Sequence, residues 1–235
     1  MIKQNQIIGI IGAMDAEVEE YLKCSKNCEK KYWNDFIFQK AKLFDKKVVI
    51  VKSGVGKVFA AMVCQKLIDE YNPASIIFTG VAGSLNERLE IGDVVVSRDC
   101  LHHDIDAKAL GFSRGTIPYT NYRTFVADEK LKKIALSAKL NGQKIIEGRI
   151  LTGDQFLTRR KIREYQYLIK ELKGDAVDME GTAIAQVCVL NKVPFLIVKT
   201  VSDRANGTAA KDFNQFLPLA AKNSFNVVKT ILENL

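Results

Sequence analysis

Short runs of Ile and Val recur along the chain, separated by longer segments with helical spacing. This alternation restricts the fold more than any other feature. The runs occupy residues 7–11, 48–51, 76–79, 94–97, 145–152, 176–177 and 195–201. Most lack polar alternation, as expected of strands covered on both faces. Helical spacing covers 58–71, with apolar positions at Val58, Ala61, Met62, Cys64 and Leu67, and recurs over 128–140, 181–190 and 214–235. The pattern predicts an α/β fold: a three-layer sandwich with a central mixed β-sheet flanked by helices. Residues 36–52 differ, because two strand-like runs flank Phe44-Asp45-Lys46 and predict a hairpin. No stretch rich in Pro, Gly or Ser marks a linker, so residues 1–235 read as one domain.

Charge and cysteine content narrow the function classes. Formal charge is +8, from 35 basic and 27 acidic residues. The lysines are scattered, and the densest clusters, Lys30-Lys31 and Arg159-Arg160-Lys161, form no basic-aromatic platform. A solvated surface is expected, not a nucleic-acid footprint. Five cysteines (Cys24, Cys28, Cys64, Cys100, Cys188) form no CxxC pair, and only His102 and His103 could join them on a metal. Free thiols in a reducing compartment are the simpler reading. The apolar run at 7–11 is too short for the core of a signal peptide, and no run approaches a membrane span. A cytoplasmic protein with no membrane partner is expected.

In folds of this class, ligands bind beyond the carboxyl ends of the strands. Three acidic stretches stand there. Gly12-Ala13-Met14-Asp15-Ala16-Glu17 follows the first run; Asp15 is expected to cap the next helix, with Glu17 in its first turn. Val177-Asp178-Met179-Glu180-Gly181 enters the segment at 181–190 through two acids, and Ser202-Asp203 ends the last apolar run. On residue type alone the first two stretches read first as helix-start chemistry, and Asp203 as readily as a cap or turn carboxylate. An acid closing a buried strand, however, is desolvated and so suited to hand over a proton near neutrality. Two glycine-containing loops, Ser53-Gly54-Val55-Gly56-Lys57 and Gly80-Val81-Ala82-Gly83-Ser84, let a ligand lie against the backbone.

Taken in order, eight stretches resemble the nucleoside phosphorylase and nucleosidase superfamily, most closely its methylthioadenosine/S-adenosylhomocysteine nucleosidase branch. They are IGIIGAMDAE (8–17), KSGVGKV (52–58), TGVAG (79–83), IGDVVVS (91–97), HDID (103–106), TGDQF (152–156), AVDMEGTAIA (176–185) and VPFLIVKTVSD (193–203). The resemblance implies hydrolysis of the N-glycosidic bond of a 5′-thio-substituted adenosine, as in methionine salvage, with no metal or cofactor. It makes Glu17 the base that activates water and Asp203 the acid that protonates adenine N7. Glu180 would hold the ribose hydroxyls over Met179, with Met14 near the sugar. Phe156 would stack on adenine while Leu157 reads its edge through backbone groups. Val55 and Phe213 would line the 5′-thio pocket, and Val177 and Ser202 would lie along the same site. A homodimer is implied, with the 103–125 loop reaching across it.

Glycoside cleavage independently requires an acid at the leaving group and a base at the water. Two residues depart from the family pattern near the water-binding corner. Lys199 stands where Arg is common, and Val81 where Ser is common. Lys keeps the charge without the planar fork. Four rival functions are a phosphorylase, an aminodeoxyfutalosine nucleosidase, a non-catalytic nucleoside-binding protein and a nucleic-acid binder. A phosphorylase would carry Gly-Asp-Pro and a nearby Arg where this chain reads Gly12-Ala13-Met14-Asp15.

Overall fold

The computed structural model describes residues 6–157, 165–203 and 209–235, with side chains in the last segment from residue 215. Ten strands form one mixed sheet. Strand β1 (Ile7–Gly12) lies between β4 (Lys46–Lys52) and β5 (Ser75–Ser84), parallel to both. Strand β5 also pairs in parallel with β10 (Phe195–Asp203), so four strands point their carboxyl ends the same way. The expected α/β fold with a central mixed sheet flanked by helices is observed. Ile10, Val48, Ile76, Ile77 and Leu196 are fully buried, which explains the absence of polar alternation in their runs. Each such side chain contributes about 1.5–3 kcal/mol relative to exposure.

Part of the sheet closes on itself, which the sequence pattern did not indicate. Strand β10 pairs antiparallel with β6 (Val94–His102), and β6 pairs in parallel with β8 (Ile145–Thr152). Strand β8 pairs with β9 (Ala176–Asp178), which returns antiparallel to β5 through Gly83↔Val177. The ring β5–β10–β6–β8–β9 turns β9 back along the end of β5. That reversal brings the acids after β9 against those after β1 and β10.

The predicted hairpin is β3 (Phe36–Leu43) and β4, joined through Phe44 and Asp45, both at positive φ (46° and 62°). Such a turn matches the twist of the flanking strands. Strand β2 (Lys26–Trp33) adds an edge that the apolar pattern had not marked. Among the described residues the α-helices are α1 (Asp15–Cys24), α2 (Lys57–Tyr71), α3 (Glu129–Leu136), α4 (Tyr167–Lys170), α5 (Gly181–Leu190) and α6 (Ala209–Asn234). At the start of α3 the Asp128 carboxylate accepts from Leu131 N at 2.9 Å, a side-chain cap. Cys64 on α2 and Cys188 on α5 are fully buried in the core with sulfurs 3.8 Å apart as free thiols. No helix among the described residues is long and apolar enough to cross a membrane.

Candidate active site

Glu17 is the third residue of α1, and its carboxylate turns back into the protein. It accepts from Ala13 N (2.6 Å), Met14 N (2.9 Å) and, across the sheet, Val81 N (2.9 Å). Only 3% of the residue is exposed. Burial raises its pKa above the ordinary value, against the pull of Lys199 and the three backbone donors. Gly80 makes this placement possible, because a Cβ there would collide with Glu17 Oε1. Asp15 is not the helix cap. Met14 occupies that position, and Asp15 is the first helical residue, exposed and paired with Lys52 at 2.8 Å. The chain enters α1 one residue earlier than expected because Glu17 captures the backbone N–H groups of residues 13 and 14.

After β9, capping and site chemistry are divided between two acids. Asp178 does the helix-start work, accepting from Gly181 N at 3.1 and 3.0 Å and from Thr152 Oγ1 at 2.6 Å. Glu180 is thereby free of that task and accepts from Gly56 N at 2.8 Å. Burial lifts the Glu180 carboxyl to about 7; Lys199 opposes the rise, and nearby Asp178 and Glu17 add to it. Asp203 closes β10, just past a register shift between Val201 and Asp203 that seats it opposite Gly83. Such irregularities re-aim a side chain at the end of a strand. Asp203 is 2% exposed, and Ser202 Oγ donates to its Oδ2 at 3.1 Å.

Glu17, Glu180 and Asp203 line one cavity. Met14, Val81 and Val177 form apolar wall around them, and Met179 adjoins Glu180. Phe156 and Leu157 add an aromatic and an aliphatic side chain to the lining, as does Ser202, with Phe156 half exposed. Val55 lines the same cavity from the loop before α2. The side chain of Phe213 lies outside the described residues. Lys199 is not in the wall. It lies behind it at 1% exposure, 3.2 Å from Asp178 Oδ2 and over the Phe78 ring at 3.9 Å. Register pairs Lys199 with Gly80, so the cation stands beside the Glu17 carboxylate. Nearby carboxylates hold the Lys199 pKa above the ordinary lysine value although burial pulls it down.

Sequence reasoning named no site role for Ala13 or Gln155, read Asp178 only as helix-start chemistry, and read Ala82 and Gly83 only as part of a loop against which a ligand could lie; all five line the cavity. Asp178 left a readable signal. A lysine inside the apolar run 195–201 demands a buried counter-ion. Among the described residues, no group of three or more His, Cys, Asp or Glu is placed to hold a metal ion. His102 and His103 are buried at the end of β6, and burial lowers both of their pKa values.

A cavity lined by three buried carboxylates, one of them at a strand end, and by an aromatic side chain has the groups needed to break a glycosidic bond to a flat heterocycle. The chain as a whole resembles known proteins. The family model for the phosphorylase superfamily matches residues 7–233. The 5′-methylthioadenosine/S-adenosylhomocysteine nucleosidase of Haemophilus influenzae (strain PittGG) is 39% identical over 232 residues, covering 97% of this chain and 99% of that protein. The crystal structure of the Neisseria meningitidis nucleosidase of the same name, in complex with methylthio-immucillin-A, superimposes with a TM-score of 0.92 at 33% identity, covering 98% of this chain and 100% of that one. Futalosine hydrolase of Helicobacter pylori strain 26695 superimposes equally well, with a TM-score of 0.92 at 31% identity, covering 98% and 99% of the two chains. The chain belongs to the phosphorylase superfamily and, within it, to the 5′-methylthioadenosine/S-adenosylhomocysteine nucleosidases.

Proposed function

We propose that this protein hydrolyses the N-glycosidic bond of 5′-methylthioadenosine and S-adenosylhomocysteine, releasing adenine and a 5-thio-substituted ribose. The observation that carries this reading is the convergence of Glu17, Glu180 and Asp203 on one cavity with an aromatic face. Glu17 takes a proton from water, whose oxygen bonds to C1′. Asp203 gives a proton to N7 as the C1′–N9 bond breaks, so adenine leaves neutral. Glu180 accepts from the ribose hydroxyls and offsets the positive charge developing on the sugar, an interaction stronger in the transition state than in the ground state. Met14 and Met179 pack on the sugar, Phe156 stacks on the purine, and Leu157 meets its edge. Val177 and Ser202 border the base, Ser202 by orienting Asp203. Val55 and Phe213 flank the 5′-thio group. Lys199 acts from behind the wall as counter-charge to Asp178 and Glu17.

Water is favoured over phosphate as the nucleophile by the end of the cavity that Glu17 occupies. Its carboxylate engages three backbone N–H groups there, and an incoming phosphate dianion would face that buried negative charge. Two further readings accompany this one. The protein works in the cytoplasm, in keeping with five free thiols. It acts as a homodimer with no membrane or nucleic-acid partner, and residues 1–235 form one catalytic domain. The test is adenine release from each thio-nucleoside with and without phosphate. Equal rates and a free thio-ribose are expected. A phosphate requirement would replace the reading with phosphorolysis, and turnover of a futalosine-type nucleoside alone would reassign the substrate.

A further inference from the structure

Lys57 stands at the first position of α2, outside the cavity wall, yet it ties the loops that carry Val55 and Phe156 in that wall to the loop after β6. Its Nζ donates to Asp104 Oδ1 and Oδ2 at 2.9 and 2.7 Å and lies 3.7 Å from Asp154 Oδ2. Its backbone N donates to Asp154 Oδ1 at 2.9 Å, and Asp154 N donates to Asp104 Oδ2 at 3.1 Å. The neighbouring Gly56 N is the group that holds Glu180. Asp154 in turn is two residues before Phe156 and three before Leu157. The loops after β4, β6 and β8 are therefore tied at one ammonium group, with the sugar-side carboxylate on one arm and the purine-side wall on the other. The pair is half-buried, with Lys57 and Asp104 side chains 21% and 22% exposed, so solvent screens it less than a surface bridge. Burial pushes the Asp104 carboxyl up, but Lys57 and Asp154 N outweigh it and hold its pKa below the usual value.

We propose that Lys57, Asp104 and Asp154 form a positioning clamp that fixes the sugar-binding and base-binding halves of the site relative to each other. None of the three touches the reacting atoms. Glycosidic cleavage needs the sugar cation held by Glu180 and the purine oriented toward Asp203 at the same moment. A displacement of about 1 Å between two such halves costs about 10²-fold in rate. Lys rather than a neutral residue is required because two carboxylates from separate loops converge there and would otherwise repel.

The proposal rests on the hydrolytic reading above, and the experiment separates the two. Steady-state kinetics with 5′-methylthioadenosine are measured for the intact protein, K57M, K57R, D104N and the K57M/D104N double variant, with the melting temperature of each. No adenine release by the intact protein overturns the hydrolytic reading itself. Given that release, K57M and D104N are each expected to lose ~10–100-fold in kcat/KM, with kcat lowered as well as KM raised. The double variant is expected to be within about threefold of the worse single, since residues acting as one unit are not additive. K57R is expected to recover most of the loss. Losses that multiply in the double variant, or an unchanged kcat in K57M, would overturn the clamp. If K57M melts too low to assay, D154N supplies the same comparison from the other arm; an unchanged kcat there overturns it equally.

Discussion

Glu180 and Glu17 are placed at a thermodynamic disadvantage. Each carboxyl is buried enough that its pKa is raised, Glu180 from 4.5 to about 7. The usual carboxylate in a folded protein shifts the other way. Between pH 4.5 and about 7 the folded chain therefore binds more protons than the unfolded one at Glu180. Stability falls as pH rises through that window, and the loss is complete above it. Glu180→Gln keeps an acceptor for Gly56 N while removing the charge. It is expected to raise the melting temperature at pH 7.5 more than at pH 5, while activity collapses. An equal effect at both pH values would show that ionisation of Glu180 carries no such penalty. Functional groups held against their own stability are a known trade-off. Asp203 has a separate test. Asp203→Asn is expected to lower kcat by 10²–10⁴-fold with binding of an unreactive thio-nucleoside analogue retained, measured by calorimetry. Full turnover in that variant would remove Asp203 from the role of acid. At this scale the sequence was informative where a charge ended a buried strand. Lys199 inside an apolar run signalled a buried counter-ion, but which acid supplies it, Asp178, is set by the tertiary pairing and is not written in the local pattern.

The apolar runs located nearly every strand but ended some of them too early. The run at 76–79 belongs to a strand that continues to Ser84, and the run at 94–97 to one that reaches His102. Gly80, Ala82, Gly83 and Ser84 weaken the apolar signal in the first and Arg98 and Asp99 in the second, and the continuation of β5 is the part that reaches the site. Strand β2 left no mark for a different reason. Its residues are exposed except Trp33, and Lys30 and Lys31 suit a solvent-facing edge that resists pairing with another chain. Ring closure through Gly83↔Val177 is set by tertiary pairing, which no periodicity encodes. The crossing of β5 beneath α1 gives a test at this scale. Gly80 is the point at which the strand passes the Glu17 carboxylate, and a Cβ would occupy the position of Oε1. Gly80→Ala is expected to lower kcat about as much as Glu17→Gln, because the base must move, while circular dichroism stays native. Retained turnover in Gly80→Ala would mean that Glu17 acts from some other position.

The surface of the whole molecule is uneven around the cavity mouth. Val55, a wall residue, is 48% exposed, and the first turn of α2 next to it carries Val58 at 78% and Phe59 at 50%. Phe156 at the same mouth is 42% exposed. Apolar side chains gathered at one opening mark an interaction surface more often than scattered ones do. The reaction gives a reason for covering it. A sugar cation is best stabilised where bulk water is excluded, because every charge contact inside then strengthens. Among the described residues these side chains stay exposed, so a second copy seated on the start of α2 would both bury them and cover that end of the cavity. The 103–125 loop, which carries exposed Leu110, Tyr119 and Tyr122, is suited to be the covering segment. Assembly and catalysis should then fail together. Val58→Asp adds a charge to an exposed position with no role in the fold of one chain. It is expected to shift sedimentation from dimer to monomer and to lower kcat/KM for 5′-methylthioadenosine at least tenfold, with the melting transition of the monomer still cooperative. A wild-type chain that sediments as a monomer at assay concentration with full turnover would show that one chain suffices to close its own site.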